Sequence, residues 1–205
     1  MRILQPFYNT SLACPQKTRY NANQILHAQG ELMKKIAFFD IDGTLTSEID
    51  GSIPVSAIEA IRAARANGNL MFINTGRCFQ NVEERFRSIG FDGLVCGCGT
   101  NIYCEDREIL HVSQTHDVTM ELLKAAQDAD LDILFESYKE VTFDRSRPLH
   151  DSEAIKLYRQ FASFDYHMPD PNTTPDFACD KFVTWFQKPA QLAEFRQVSD
   201  QYFTC

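Results

Sequence analysis

No stretch of this sequence approaches the roughly 18–20 consecutive apolar residues that span a bilayer, so a helical membrane protein is not expected. Positive charge is also short: 20 Lys and Arg face 28 Asp and Glu, for a formal net charge of -8 and a pI near 5.1. Nucleic acid and anionic membrane both demand clustered cations, and neither is therefore an expected partner. Glycine and proline are sparse, 9 and 8 residues, which excludes fibrous and low-complexity architectures. What is present is a 44% share of hydrophobic residues in 205, enough core for one large domain or two small ones.

The seven cysteines (14, 78, 96, 98, 104, 179 and 205) are an odd number. Cys96 and Cys98 are too close for an ordinary disulfide, and a separation of two places both on one face of a strand. No second Cys/His pair stands at zinc-ligand spacing, and His27, His111, His116, His150 and His167 are scattered. All seven cysteines read as reduced thiols of a cytoplasmic protein.

Residues 1–30 hold Arg2, Lys17 and Arg19 and no acid, leaving 17 bases against 28 acids, or -11, for the remainder. The segment has no compact apolar stretch of signal-peptide kind and no helical or strand period. Two readings compete: a basic arm or targeting peptide, or a non-native extension ahead of a natural start at Met33. The second is preferred, because a compact domain needs nothing before its first strand. Residues 1–32 are accordingly expected to be a disordered or non-native extension.

From Met33 the pattern is α/β. Ile36–Phe39 is a continuous apolar run, as in a parallel strand buried on both faces. Pro54 opens a helix carrying Val55, Ile58, Ile61 and Ala64 at helical spacing, which Asn67-Gly68 ends. Strands follow at Leu70–Asn74 and Gly93–Cys96, with a helix over 79–89 between them. Strand, helix, strand, helix, strand within about sixty residues predicts right-handed crossovers and a doubly wound, Rossmann-like parallel sheet. After residue 113 the grammar changes. Helices over 117–129, 152–162 and 189–200 alternate with strands at 133–135, 141–143 and 182–186, predicting a separate α+β module. The expected units are 33–112 and 113–205.

The chemistry is concentrated in Phe39-Asp40-Ile41-Asp42-Gly43-Thr44-Leu45-Thr46, at the carboxyl end of the first strand, where such sheets bind ligands. Asp40 and Asp42 can project into one crevice, and Gly43 permits a sharp departure from the strand. Two carboxylates leaving an apolar strand together need a cation or a hydrogen-bond network, and Mg²⁺ with a substrate phosphate satisfies that need. The bland alternative is that both aspartates cap the following loop.

These residues resemble motif I of the haloacid dehalogenase (HAD) superfamily, Asp-x-Asp-x-Thr. Asn74-Thr75-Gly76-Arg77 resembles motif II, and Gly97-Cys98-Gly99-Thr100-Asn101 the Gly-rich turn of the Cof-type subgroup (subclass IIB), in which a hairpin leads into an α+β cap. The resemblance implies a Mg²⁺-dependent phosphatase of small phosphorylated metabolites. Asp40 would be the nucleophile and Asp42 the general acid and base, with Mg²⁺ on the Asp40 carboxylate and the Asp42 carbonyl. It implies phosphate contacts from Thr75 and from backbone N–H groups at Gly43 and Gly76. Thr44 would brace the loop, and Arg77 would meet phosphate or pack against the cap.

The family pattern also has a motif III Lys and a motif IV Gly-Asp-x-x-x-Asp, neither of which is recognisable here; Lys181 lies in the cap-like part. The chain therefore reads as C-terminally shortened, with an exposed apolar sheet edge open to self-association. A non-catalytic remnant that binds phosphate or a partner is the second reading, and a phosphomutase the third. Asp165, Asp170, Asp176 and Asp180 read as a solvated loop, and Trp185, Phe182, Phe186 and Phe195 as cap core.

Overall fold

The computed structural model describes residues 2–6, 34–47, 49–105, 107–164 and 166–204. Two five-stranded sheets organise them. The first is built from β2 (Ile36–Phe39), β3 (Leu70–Asn74), β4 (Gly93–Cys96), β5 (Asn101–Cys104) and β6 (Arg107–His111), in that spatial order. β2, β3 and β4 are parallel, with Ile36 opposite Leu70 and Phe72 opposite Gly93. β4, β5 and β6 form an antiparallel meander. Gly93 permits the close packing here: a Cβ on it would lie 2.3 Å from both the Phe72 ring and the Tyr103 carbonyl oxygen.

α1 (Val55–Ala66) crosses from β2 to β3, and α2 (Glu84–Arg87) lies between β3 and β4. Both crossovers step the same way across the sheet, so right-handed connections put both helices on one face. There Ile61, Met71, Ile73, Val82, Phe86, Ile89 and Cys96 form a buried core. The opposite face carries Ile36 and Phe38, each 58% exposed, because strand side chains alternate. The core of the sheet is thus α/β as expected, while its first strand is half-open rather than buried on both faces.

The helix expected over 79–89 is broken. A 3₁₀ turn at Phe79–Asn81 is followed by extended backbone at Val82 and Glu83 before α2 begins. Arg87 compensates by donating to the carbonyls of Val82 and Phe79. Cys96 and Cys98 do not share a strand face: Cys96 ends β4, and Cys98 sits in the 97–99 turn with φ 60.

The second sheet contains β7 (Asp132–Glu136), β8 (Val141–Phe143), β9 (Lys181–Trp185), β10 (Phe203–Thr204) and β1 (Arg2–Pro6), ordered β10-β1-β9-β7-β8. β1 was not expected, since its residues show no strand period. Main-chain pairing of Ile3 with Val183 and Gln5 with Thr204 needs none. The rest of the anticipated extension, residues 1 and 7–33, lies outside the described residues. α3 (His116–Asp128) and α5 (Pro189–Ser199) cover one face over Leu122, Leu131, Ile133, Phe135, Phe182 and Phe195. α4 (Ser152–Ser163) covers the other with Leu134, Phe143, Phe161, Val183 and Trp185. The expected aromatic group therefore divides between the two faces, and Phe186 stays 39% exposed.

The modules meet at several points. Cys78 is buried in the α4-side core, Phe79 packs on Tyr138 at 4.9 Å, and Gln80 N–H donates to the Tyr138 carbonyl. His111 Nε2 lies 3.0 Å from Asp180 Oδ1. Asp180 is thus a buried junction residue, not part of a solvated loop, and Asp165 lies outside the described residues. Cys78, Cys96 and Cys179 are buried thiols, their ionisation pushed up by burial to about 11, 12 and 12.

Candidate active site

β2 ends at Phe39, and the chain turns through a single wide loop over Ile41–Leu45. Leu45 N–H donates to the Asp40 carbonyl and Thr46 N–H to that of Ile41. Gly43 makes the turn with φ 75, a left-handed conformation that a Cβ disfavours. Ile41 and Leu45 are buried beneath it, which throws Asp40 and Asp42 outward.

Those two aspartates, Gly76 and Arg77 line one cavity of about 730 Å³ between the modules. The structure gathers four of the seven predicted site residues on that wall. Gly43, Thr44 and Thr75 do not line it. Thr44 is exposed, and the side-chain brace comes instead from Thr46 Oγ1, 3.0 Å from the Ile41 carbonyl. Thr75 is buried, and its hydroxyl accepts from the Arg77 N–H at 3.2 Å, leaving its own proton to donate.

Arg77 is held by acids of its own module. Its Nε and Nη2 donate to Asp42 Oδ2 and Oδ1 at 3.0 and 2.6 Å, a two-pronged fork, while Nη1 reaches Glu83 Oε1 and the Asn81 carbonyl. The bond to Asp42 raises the guanidinium's hold on its proton, against the opposing effect of burial. Arg85 in turn donates to Glu83.

Sequence reading missed the far wall. There Glu136 and Lys181 stand directly opposite each other in the β7–β9 register and form a buried ion pair. Only the pairing of two strands 45 residues apart brings them together, which no local pattern signals. Lys181, which the sequence places in the cap-like part, ion-pairs with Glu136 and not with Asp40. Around the cavity every cation has an acidic partner: Arg77 has Asp42 and Glu83, Arg85 has Glu83, and Lys181 has Glu136. Asp40 is the remaining acid, exposed and without an ion pair among the described residues.

Comparison with known proteins places the chain in a family. Residues 37–204 match the family of haloacid dehalogenase-like hydrolases. A phosphoglycolate phosphatase from Staphylothermus marinus is 30% identical over 138 residues, covering 65% of this chain and 53% of that protein. A phosphatase of the haloalkanoate superfamily from Bacteroides thetaiotaomicron superposes with TM-score 0.63 at 20% identity, over 83% of this chain and 63% of the other. A subclass IIB sugar phosphatase gives TM-score 0.63 at 20% identity, over 80% and 63%. The chain thus spans about half the length of its curated relative and under two thirds of these solved structures. With an Asp-x-Asp loop at the carboxyl end of a parallel strand, and the family match running across both sheets, this chain belongs to the haloacid dehalogenase-like hydrolases.

Proposed function

We propose that the cavity is the site of a Mg²⁺-dependent phosphatase that acts on small phosphorylated metabolites through an aspartyl-phosphate on Asp40, with the second module as its cap. The observation that carries this reading is the Asp40 carboxylate, without an ion pair among the described residues, beside an Asp42 paired with Arg77. A nucleophile must be unencumbered, and a residue handling protons must be held in place.

The donor set fits Mg²⁺, which takes one or two protein oxygens and leaves its other positions to water and phosphate. The Asp40 carboxylate and the Asp42 backbone carbonyl would hold it. Bound there, it neutralises charge on the phosphoryl oxygens. An Asp40 oxygen attacks phosphorus and the bond to the leaving oxygen breaks; Asp42 supplies that oxygen's proton, then takes one from the water that cleaves the acyl phosphate. The Thr75 hydroxyl and the N–H groups near Gly43 and Gly76 are the donors assigned to the phosphoryl oxygens. Because the Arg77 fork occupies both Asp42 oxygens, the pair must part before Asp42 donates a proton. An incoming phosphate, competing for Arg77, is the group able to part it.

Phosphate release from p-nitrophenyl phosphate with Mg²⁺ tests the reading. Turnover that disappears in Asp40→Asn and with chelator is expected. Turnover that survives Asp40→Asn would overturn it. The second reading, a phosphate- or partner-binding protein without turnover, is favoured by one observation: the Arg77 fork occupies both Asp42 oxygens. A folded chain that binds phosphate and releases none would establish it. A cytoplasmic location and self-association through the open edge of the first sheet belong to the same proposal.

A further inference from the structure

A second cavity, of about 490 Å³, lies beside the start of β4 and shares no lining residue with the cavity of Asp40 and Asp42. Three rings form its aromatic wall. The Phe79 centroid stands 4.7 Å from that of Tyr103 and 4.9 Å from that of Tyr138, and the two tyrosines stack at 6.0 Å. All three rings remain part-exposed, so a ring entering the cavity finds π surface still open to it. The volume is within the ordinary range for a small-molecule site.

Four charged side chains complete the lining: Arg65, Arg87, Asp92 and Glu105. Arg65 and Asp92 cancel, joined at 2.7 Å. Arg87 and Glu105 have no ion pair among the described residues. Arg87 commits Nε and Nη2 to the carbonyls of Val82 and Phe79, which fixes its guanidinium over the Phe79 ring at 4.0 Å. Its Nη1 makes no hydrogen bond among the described residues. Glu105 is exposed in the turn after β5, with its backbone N–H held by the Asp92 carbonyl at 2.9 Å. Charge then discriminates between ligands. An uncharged ring leaves both groups unused. A phosphate brings two negative charges to one unpaired cation and meets Glu105 as well. A zwitterion gains twice, since its carboxylate accepts from Arg87 and its ammonium donates to Glu105.

We propose that this cavity is a binding site for a zwitterionic ligand with an aromatic ring, the chemistry of a free aromatic amino acid. The ring packs against Phe79, Tyr103 and Tyr138, the carboxylate meets Arg87 and the ammonium meets Glu105. The assignment does not depend on the phosphatase reading, because its residues are separate from those of the catalytic cavity. Contact with Arg87 still bears on the 79–83 stretch, whose Glu83 holds Arg77, and Tyr138 brings the second module to the same ligand.

Isothermal titration calorimetry of the full chain with L-tryptophan tests this, beside tryptamine (no carboxylate), indole-3-propionate (no ammonium) and AMP. L-Tryptophan is expected to bind with a Kd of about 1 mM or tighter. It should exceed tryptamine by about tenfold and indole-3-propionate by at least about threefold, Arg87 being less exposed than Glu105. Glu105→Gln should erase only the preference over indole-3-propionate, and Arg87→Gln only the preference over tryptamine. A variant that merely loosens packing does not produce that crossed pattern. Should Arg87→Gln melt early through its lost bonds to the Phe79 and Val82 carbonyls, the exposed Glu105→Gln decides alone. No preference for L-tryptophan over the two indoles, tighter binding of AMP, or a preference unchanged in Glu105→Gln would overturn the site and leave the phosphatase reading standing. Absence of aryl phosphate turnover would overturn that reading and leave the site standing.

Discussion

Asp40 and Asp42 stand two residues apart on one loop, yet their surroundings differ: Asp40 has no ion pair among the described residues, and Asp42 is gripped by both prongs of Arg77. Types and spacing made the two carboxylates legible in the sequence, and Gly43 announced the turn. Arg77 was legible as a site residue but not in its partner, because the side chain crosses from one loop to the next. A lysine cannot reproduce the planar fork, so Arg77→Lys is expected to lower kcat on aryl phosphate by about tenfold or more and to raise KM as the phosphate loses part of its hold on the side chain. Steady-state kinetics decide this. A rise in KM alone would assign Arg77 to the phosphate and remove its role in positioning Asp42.

Asp92 ties α1 to β3. Arg65 donates to its Oδ1 at 2.7 Å, and Met71 N–H to its Oδ2 at 2.8 Å. The Arg65 bonds, then the Met71 bond against the effect of burial, hold its pKa below the ordinary 3.8. A carboxyl depressed in the folded state contributes stability that is full above 3.8 and is lost as pH falls through the folded value. Asp92→Asn is therefore expected to cost about 1–2 kcal/mol at neutral pH, Arg65 being part-exposed. In urea melts the gap from the wild type should close below pH 3.8; a gap independent of pH would refute the electrostatic account. Elements with a clean period were read almost to the residue: α1, β3 and α4 begin and end near the expected positions. The helix break at Val82 was not. Val82 is buried and Glu83 is held by Arg77 and Arg85, side-chain contacts that a hydrophobic period does not record.

Across the whole molecule, helices cover one face of the first sheet and leave Ile36 and Phe38 largely exposed on the other. Apolar surface at a free strand edge favours pairing between copies. Sedimentation velocity is expected to show self-association that Ile36→Lys with Phe38→Thr reduces, while the thermal melt changes little because neither side chain is buried. Association unchanged by the pair of substitutions would place the contact elsewhere. The α/β class was readable because period survives in sequence; the strand order and the wall facing Asp40 were not, because register does not.

The split of the first sheet into a parallel and a meandering half also dictates an order of events in time. In the meander Cys104 pairs with Arg107 and Asn101 with His111, whereas β2 must find β3 across 34 residues. Short loops close at lower entropic cost and sooner. Pulse-labelled hydrogen exchange should thus see the amides of β5 and β6 protected first, and those of β2 last. The strand that delivers the nucleophile is then the final piece to lock in, and a refolding chain would regain its catalytic loop only when everything beside it is already in place.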